Sequence, residues 1–107
     1  MRSLDPAIDL ARTIKALKKI CDRAAIELAP SVKTQVFAAR LMHAGMYGFG
    51  STCVWSHRGV ATALDANASE LTIQHFQNVY QQEEDCVPAL NPFITDDFET
   101  IKIKPQQ

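Results

Sequence analysis

Residues 58–71 read RGVATALDANASEL, and the parsing of this stretch decides which fold the rest of the chain can join. A small residue, an apolar residue, a short turn and a new helix is the order of a DNA-reading helix-turn-helix, whose second helix lies in the major groove. In the favourable register Ala61 makes the close contact, Leu64 packs, the turn falls at Asp65 and Ala66, and Leu71 opens the buried side of the reading helix. Asp65 then holds the turn position usually filled by glycine, and it adopts the left-handed conformation less readily.

The following residues break that register. If Leu71 points inward, Gln74 should follow it, yet the stronger apolar face is Ile73, Phe76, Val79 and Tyr80. That face lies more than about 100° from Leu71 at about 100° per residue. It leaves Glu70, Gln74, Gln77, Asn78 and Gln81 outward, with no Lys or Arg to meet phosphate. The segment is therefore expected to be an amphipathic helix, opened by a capping box of Asn67 and Glu70 and ending near Glu83. DNA reading becomes the second choice.

Upstream, Asp5 and Pro6 mark a helix start and Pro30 a stop near Ala29. Between them Ala7, Leu10, Ile14, Leu17, Cys21, Ala24 and Leu28 recur at three- and four-residue steps. These limits predict a helix of about 24 residues, about 36 Å long. A compact domain of this chain length is only about 34 Å across. Such a helix would span or overshoot the molecule, leaving apolar surface for a second copy, and a homodimer built on it is expected. The opposite side carries Arg12, Lys15, Lys19 and Arg23, with Lys18 close by. This basic stripe suits a phosphate backbone or an acidic protein surface.

Ser31 is read as the cap of a second helix, with Val32, Val36, Ala39, Met42, His43 and Met46 on its main face and Phe37, Leu41 and Ala44 on the other side. A helix apolar around most of its circumference belongs at the centre, and His43 belongs in or beside the core. The segment GMYGFGS ends that helix. Its glycines follow a helix, whereas a nucleotide fingerprint needs a strand before them and a helix after them. Residues 51–64 fit either a helix capped by Ser51 or a hairpin turning at SHRG. Pro88 and Pro92 interrupt the chain beyond Glu83, and Ile101 and Ile103 alternate with Lys102 and Lys104 as in a short strand, half of a hairpin turning at Asp96-Asp97.

The chain has 107 residues, 47% hydrophobic and 21% charged, the composition of one soluble globular domain spanning 1–107. No apolar run approaches the roughly 20 residues of a membrane span. The opening MRSLDPAIDLARTIK has no basic end followed by an apolar core, and three widely spaced cysteines fit reduced thiols, so the cytoplasm is the expected compartment. The formal net charge of −1 hides a split. Residues 1–44 hold eight Lys or Arg against four Asp or Glu, and residues 45–107 hold three against eight.

Chemistry-bearing groups are sparse. Cys53 and His57, with His75 and Cys86, include the ligand types of a zinc site but lack a C-x-x-C knuckle. A Cys–His nucleophilic pair would need a base within hydrogen-bond reach, and the acids around Glu83-Glu84-Asp85 show no paired-carboxylate spacing. Carboxylates on a compact body can instead engage a basic groove on another protein, with Trp55, Tyr47 and Tyr80 as candidate aromatic anchors. The expected fold is mainly α, a helical hairpin with one or two further helices and a short C-terminal strand or hairpin. The expected function is that of a small non-enzymatic regulator, adaptor or inhibitor that binds another protein, without cofactor or metal. Arg12, Lys15, Lys19, Arg23, Glu83, Glu84 and Asp85 are its candidate contact residues.

Overall fold

In the computed structural model, which describes residues 4–5 and 8–103, four helices carry the fold: α1 Leu10–Ala24, α2 Gln35–Ala44, α3 Phe49–Asp65 and α4 Ile73–Glu84. The mainly helical class follows the sequence reading. The strands do not fall at the C-terminus, however; they are β1 Glu27–Leu28 and β2 Glu70–Leu71, paired in parallel with Glu27 opposite Glu70 and Leu28 opposite Leu71.

Two helix–strand–helix units share one local design. Ala25 after α1 and Asn67 after α3 are left-handed, with φ of 57° and 55°. Each lets the next amide reach back to the helix: Ile26 N–H to the Cys21 carbonyl at 3.0 Å, Ala68 N–H to the Ala63 carbonyl at 3.0 Å. The chain then turns into its strand, and the two strands meet, with the Ala29 N–H donating to the Leu71 carbonyl at 2.9 Å. The Ser31 hydroxyl of the first unit accepts from the Ile73 N–H, the first amide of α4, at 3.1 Å. One unit thus caps a helix of the other.

This pairing corrects the first helix. It has 15 residues, not the expected 24 or so, and spans about 22 Å inside a body of 33 × 30 × 26 Å. Leu28 continues the helical spacing in sequence but sits in β1, buried by Leu71 and its neighbours. The helix neither spans nor projects, which removes the length argument for a dimer. The Pro6 start falls outside the described residues; within them, the Asp9 carbonyl receives both the amide and the hydroxyl of Thr13, at 2.9 and 2.8 Å.

The cap of α2 is Thr34, whose hydroxyl accepts from Phe37 N–H at 3.0 Å, and Ser31 lies in a 3₁₀ turn, Pro30–Val32. The buried residues of α2 are Phe37, Ala38, Leu41, Met42, His43 and Ala44, while Val36 and Met46 are exposed, so the core takes the whole side read as secondary and only part, Val32, Met42 and His43, of the face read as main. Phe37, Phe76 and Phe93 pack at centroid distances of 4.9, 5.3 and 6.1 Å, and Trp55 lies against Tyr80 at 4.9 Å. Trp55 and Tyr80 are core residues, not surface anchors. Rings this deeply buried supply much of the apolar stabilisation, about 25 cal/mol per Å² removed from water.

Residues 51–64 belong to α3, whose cap position is Gly48 rather than Ser51. The turn before it takes its left-handed residues from Met46 and Tyr47, φ 55° and 60°, and not from glycine. Gly45 serves close approach instead: a Cβ there would lie 2.7 Å from the Thr52 amide nitrogen. Gly59 does the same for α3 against α4, facing the Phe76 ring at a separation too small for any Cβ. Between these two helices stand a left-handed turn and β2, so the helix-turn-helix register fails: Leu71 is buried in the strand, Leu64 is exposed, and Ala61 is exposed. Thr72 and His75 form the capping box of α4, in place of Asn67 and Glu70, and Phe76, Val79 and Tyr80 face inward as expected.

Beyond α4 the chain makes 3₁₀ turns at Pro88–Leu90 and Phe98–Thr100. Residues 101–103 join no strand, and Lys104 lies outside the described residues. Polar anchors hold this segment. Asn91, wholly buried, donates to the Gln77 carbonyl at 2.9 Å and Gln81 Oε1 at 3.3 Å and accepts from Phe93 N–H at 2.9 Å. Gln77 returns a bond to the Phe93 carbonyl at 3.0 Å. Gln77 and Gln81, expected to face outward, are therefore tied inward. Arg40 of α2 donates to the carbonyls of Pro92 and Thr95, at 3.0 and 2.6 Å, and its guanidinium lies over the Phe98 ring. His43, buried as expected, donates from Nε2 to the Ile101 carbonyl at 2.8 Å and shares a hydrogen bond of 3.0 Å between Nδ1 and the Tyr47 hydroxyl.

Candidate functional site

Helices α1 and α3 pack with a groove between them. At 100° per residue, Arg12, Ala16, Ile20, Arg23 and Ala24 fall on the side of α1 between its buried face and its basic stripe. On α3, Phe49, Cys53, His57, Val60 and Leu64 share one side at three- and four-residue steps. The two sides enclose a recess of about 310 Å³ near Arg12 and Phe49 and a second of about 480 Å³ near Arg23 and Leu64. Ile20 lines both. The two recesses follow one another along α3.

Its walls are mostly apolar and incompletely covered: Phe49 is 51% exposed and Leu64 47%. At the Arg12 end two polar groups break the apolar lining. The Asp9 carboxylate, 1% exposed, accepts from the Asp5 N–H at 2.7 Å and stands 3.8 Å from Arg12. Thr52 is 5% exposed, and its hydroxyl is buried against Gly45 without a hydrogen-bond partner, a costly state. Cys53 lies in the same wall, and burial pushes its thiol pKa up, away from the reactive thiolate.

Arg12, Lys15, Lys18, Lys19 and Arg23 are all exposed, as the stripe reading requires. Arg12 and Arg23 line the groove itself, and Lys15 and Lys19 run beside them. The ion pairs of the stripe are local to the helix and its cap: Arg12 with Asp9, and Lys18 with Asp22 at 3.3 Å.

The acidic candidates stand elsewhere. Glu83 and Glu84 close α4, and Asp85 follows in the left-handed region at φ 47°. None of the three enters an ion pair among the described residues. Glu84 and Asp85 border a separate recess of about 310 Å³ with Tyr80, Val87, Leu90, Ile101 and Lys102. Val87 is 59% exposed and Leu90 54%. The structure thus divides the seven predicted contact residues into two surfaces, and α3 packs against both helices that carry them. The apolar half of each surface, Phe49 and Leu64 in one, Val87 and Leu90 in the other, escaped sequence reading. Phe49 sits in a glycine-rich run that reads as turn, and Leu64 was assigned to helix-turn-helix packing.

The thiols and imidazoles are not assembled for chemistry. Among the described residues no three His, Cys, Asp or Glu side chains come together around a point that could hold a metal ion. Cys53 and His57 are one turn apart on α3 without a hydrogen bond between them, His75 is committed to the Thr72 cap, and the Cys86 thiol is pushed up by burial and by Glu84 and Asp85, with its own backbone hydrogen bond opposing. No helix among the described residues is long and apolar enough to cross a membrane. Comparison with protein-family models, with curated proteins and with solved structures finds no match to this chain.

Proposed function

We propose that the protein is a small non-enzymatic regulator, adaptor or inhibitor that binds another protein through the α1–α3 groove. The supporting observation is that groove: two mostly apolar recesses that share Ile20 in their lining, with half-exposed Phe49 and Leu64 in one wall and Arg12 and Arg23 in the other. Aromatic and arginine side chains beside an apolar recess are the groups that carry most interface energy, and exposed apolar surface rimmed by charge is characteristic of a docking face.

The test is affinity capture by the immobilised full chain and by a variant with Phe49→Asp and Leu64→Asp, using extract of the source cells, followed by reconstitution from purified components. The expected result is a partner retained by the wild type and bound at least about tenfold more weakly by the variant. Identical binding by both proteins refutes the groove. The alternative, a DNA-binding regulator, draws on the exposed stripe of Arg12, Lys15, Lys19 and Arg23. It would act through phosphate contacts alone, because α3 and α4 are not joined as a helix-turn-helix.

A further inference from the structure

The α1–α3 groove and the end of α4 are complementary to each other, and one molecule carries both. The groove is apolar with a cationic edge from Arg12, Lys15, Lys19 and Arg23. The α4 end presents exposed Val87 and Leu90 beside Glu83, Glu84 and Asp85, which form no ion pair among the described residues. No residue is shared between the two recesses of the groove and the recess at the α4 end. The two surfaces therefore do not overlap on one molecule.

We infer that the groove receives the acidic α4 end of a second copy of this chain, Val87 and Leu90 entering between α1 and α3 while Glu83 and Glu84 meet the cations of α1. The inference rests on the groove reading above and names its occupant. Charge complementarity selects the second copy: residues 1–44 and 45–107 carry opposite net charge, and the stripe's own ion pairs, Arg12 with Asp9 and Lys18 with Asp22, leave Lys15, Lys19 and Arg23 without a carboxylate among the described residues. Val87 and Leu90, three residues apart on a 3₁₀ turn entered at Pro88, project from the same short element. Two different surfaces in contact make the association heterologous, so it passes from copy to copy unless the rotation closes a ring. Lys102 borders the acidic recess and tempers its charge without reversing it.

The experiment is sedimentation of the full chain from about 10 to about 200 μM at low salt and again at about 0.3 M. It is repeated with a groove variant, Lys15→Glu with Lys19→Glu, and an end variant, Glu83→Lys with Glu84→Lys. Circular dichroism checks that both fold. The wild type is expected to show mass rising with concentration, weakened at least about tenfold by the higher salt. Each variant alone sets like charge against like and should sediment as a monomer. An equimolar mixture of the two makes every junction complementary again and should restore association.

A wild type that stays monomeric throughout overturns the inference, and so does a mixture no heavier than its parts. Association untouched by both variants overturns it too, by moving the interface elsewhere. A monomeric wild type whose groove binds a 15-residue Glu-flanked leucine peptide, lost with Lys15→Glu and Lys19→Glu, refutes the second copy and leaves the groove to an acidic foreign segment. Binding of a 20-bp DNA duplex with the same loss assigns the stripe to nucleic acid. If self-association fails while the Phe49 and Leu64 variant still loses its captured partner, the protein-binding function stands without this occupant.

Discussion

Around α2, α4 and the C-terminal segment, most buried polar side chains are tied to main chain: Arg40 to Pro92 and Thr95, His43 to Ile101, Asn91 to Gln77 and Phe93, while the indole N–H of Trp55, packed on Tyr80, has no partner. Between α1 and α3 the Thr52 hydroxyl has no partner, and Phe49 and Leu64 are half in water. The first region is closed by the chain itself. Apart from a 3₁₀ turn and a few local main-chain bonds the segment 91–101 has no regular structure, so side chains take over much of the hydrogen bonding that longer elements would provide. The second has regular helices on both sides and needs no such support, and its surplus is apolar surface, cations and one unmade hydrogen bond. Polar groups on the closed side should therefore contribute stability, and groups lining the groove should contribute little.

The strongest challenge to this contrast is Arg40→Met, which keeps the aliphatic stem and removes the guanidinium. Arg40 is 11% exposed, and its loss leaves two carbonyls without their charged donor and Phe98 without its cation. A destabilisation of about 3 kcal/mol is expected in urea unfolding, with faster amide exchange across residues 91–101. The pair with Asp96, at 3.8 Å and wholly exposed on the acid side, contributes little, so Asp96→Asn should change stability by less than about 0.5 kcal/mol. If the two variants are equally mild, the segment is not held by Arg40.

Alkali probes the same side. Burial foremost, then the charges of Glu84 and Cys86, push the Tyr80 hydroxyl up to about 12. The protonated form is the one the fold accepts. Its contribution is thus fully present below the ordinary phenol pKa near 10 and is lost as pH rises from there to about 12. At about 1.4 kcal/mol per unit the loss is on the order of 3 kcal/mol. Urea midpoints should fall across this window in the wild type and fall less in Tyr80→Phe, with absorbance at about 295 nm following ionisation. Tyr47, also raised by burial and by Glu99, accounts for part of what remains.

The same contrast explains what the sequence made legible. The inward face of α4, the burial of His43 and the exposure of the stripe all follow from helical periodicity, because each is a repeated choice along a regular element. The ends of elements were not legible. Ala25, Met46, Tyr47 and Asp85 adopt left-handed conformations, and of these only Asp85 is of a type that favours it. Strands of two residues are too short for a period, so Glu27–Leu28 read as the tail of a helix and Glu70 as a capping residue. Arg40 and Asn91 act over 52 and 14 residues of chain, and nothing local to either marks its partner. The charged members of both candidate surfaces could be named because exposed charge follows from periodicity. Their apolar members could not, since an exposed leucine is distinguished from a core leucine only by what packs on it.

On the groove side the expected sign reverses. Thr52→Val replaces a buried hydroxyl that makes no hydrogen bond with a methyl group of nearly the same shape. Removing an unsatisfied polar atom recovers its desolvation cost, so the variant should be more stable by about 0.5–1 kcal/mol. A destabilised Thr52→Val would mean that the hydroxyl is satisfied in solution, and the groove would lose its unmade contact.

The smallest expected change is in the stability of Phe49→Ser and Leu64→Ser. Both side chains are about half exposed, so truncation removes little area that folding takes out of water, and each should shift the unfolding free energy by no more than about 0.5 kcal/mol. Fully buried aromatic side chains behave differently: Phe76→Ala, at 0% exposure, should cost about 3–5 kcal/mol. If Phe49→Ser costs as much as a core truncation, the groove is closed in solution and Phe49 belongs to the interior. If it costs nothing and still abolishes association, its apolar surface is kept for contact with another molecule.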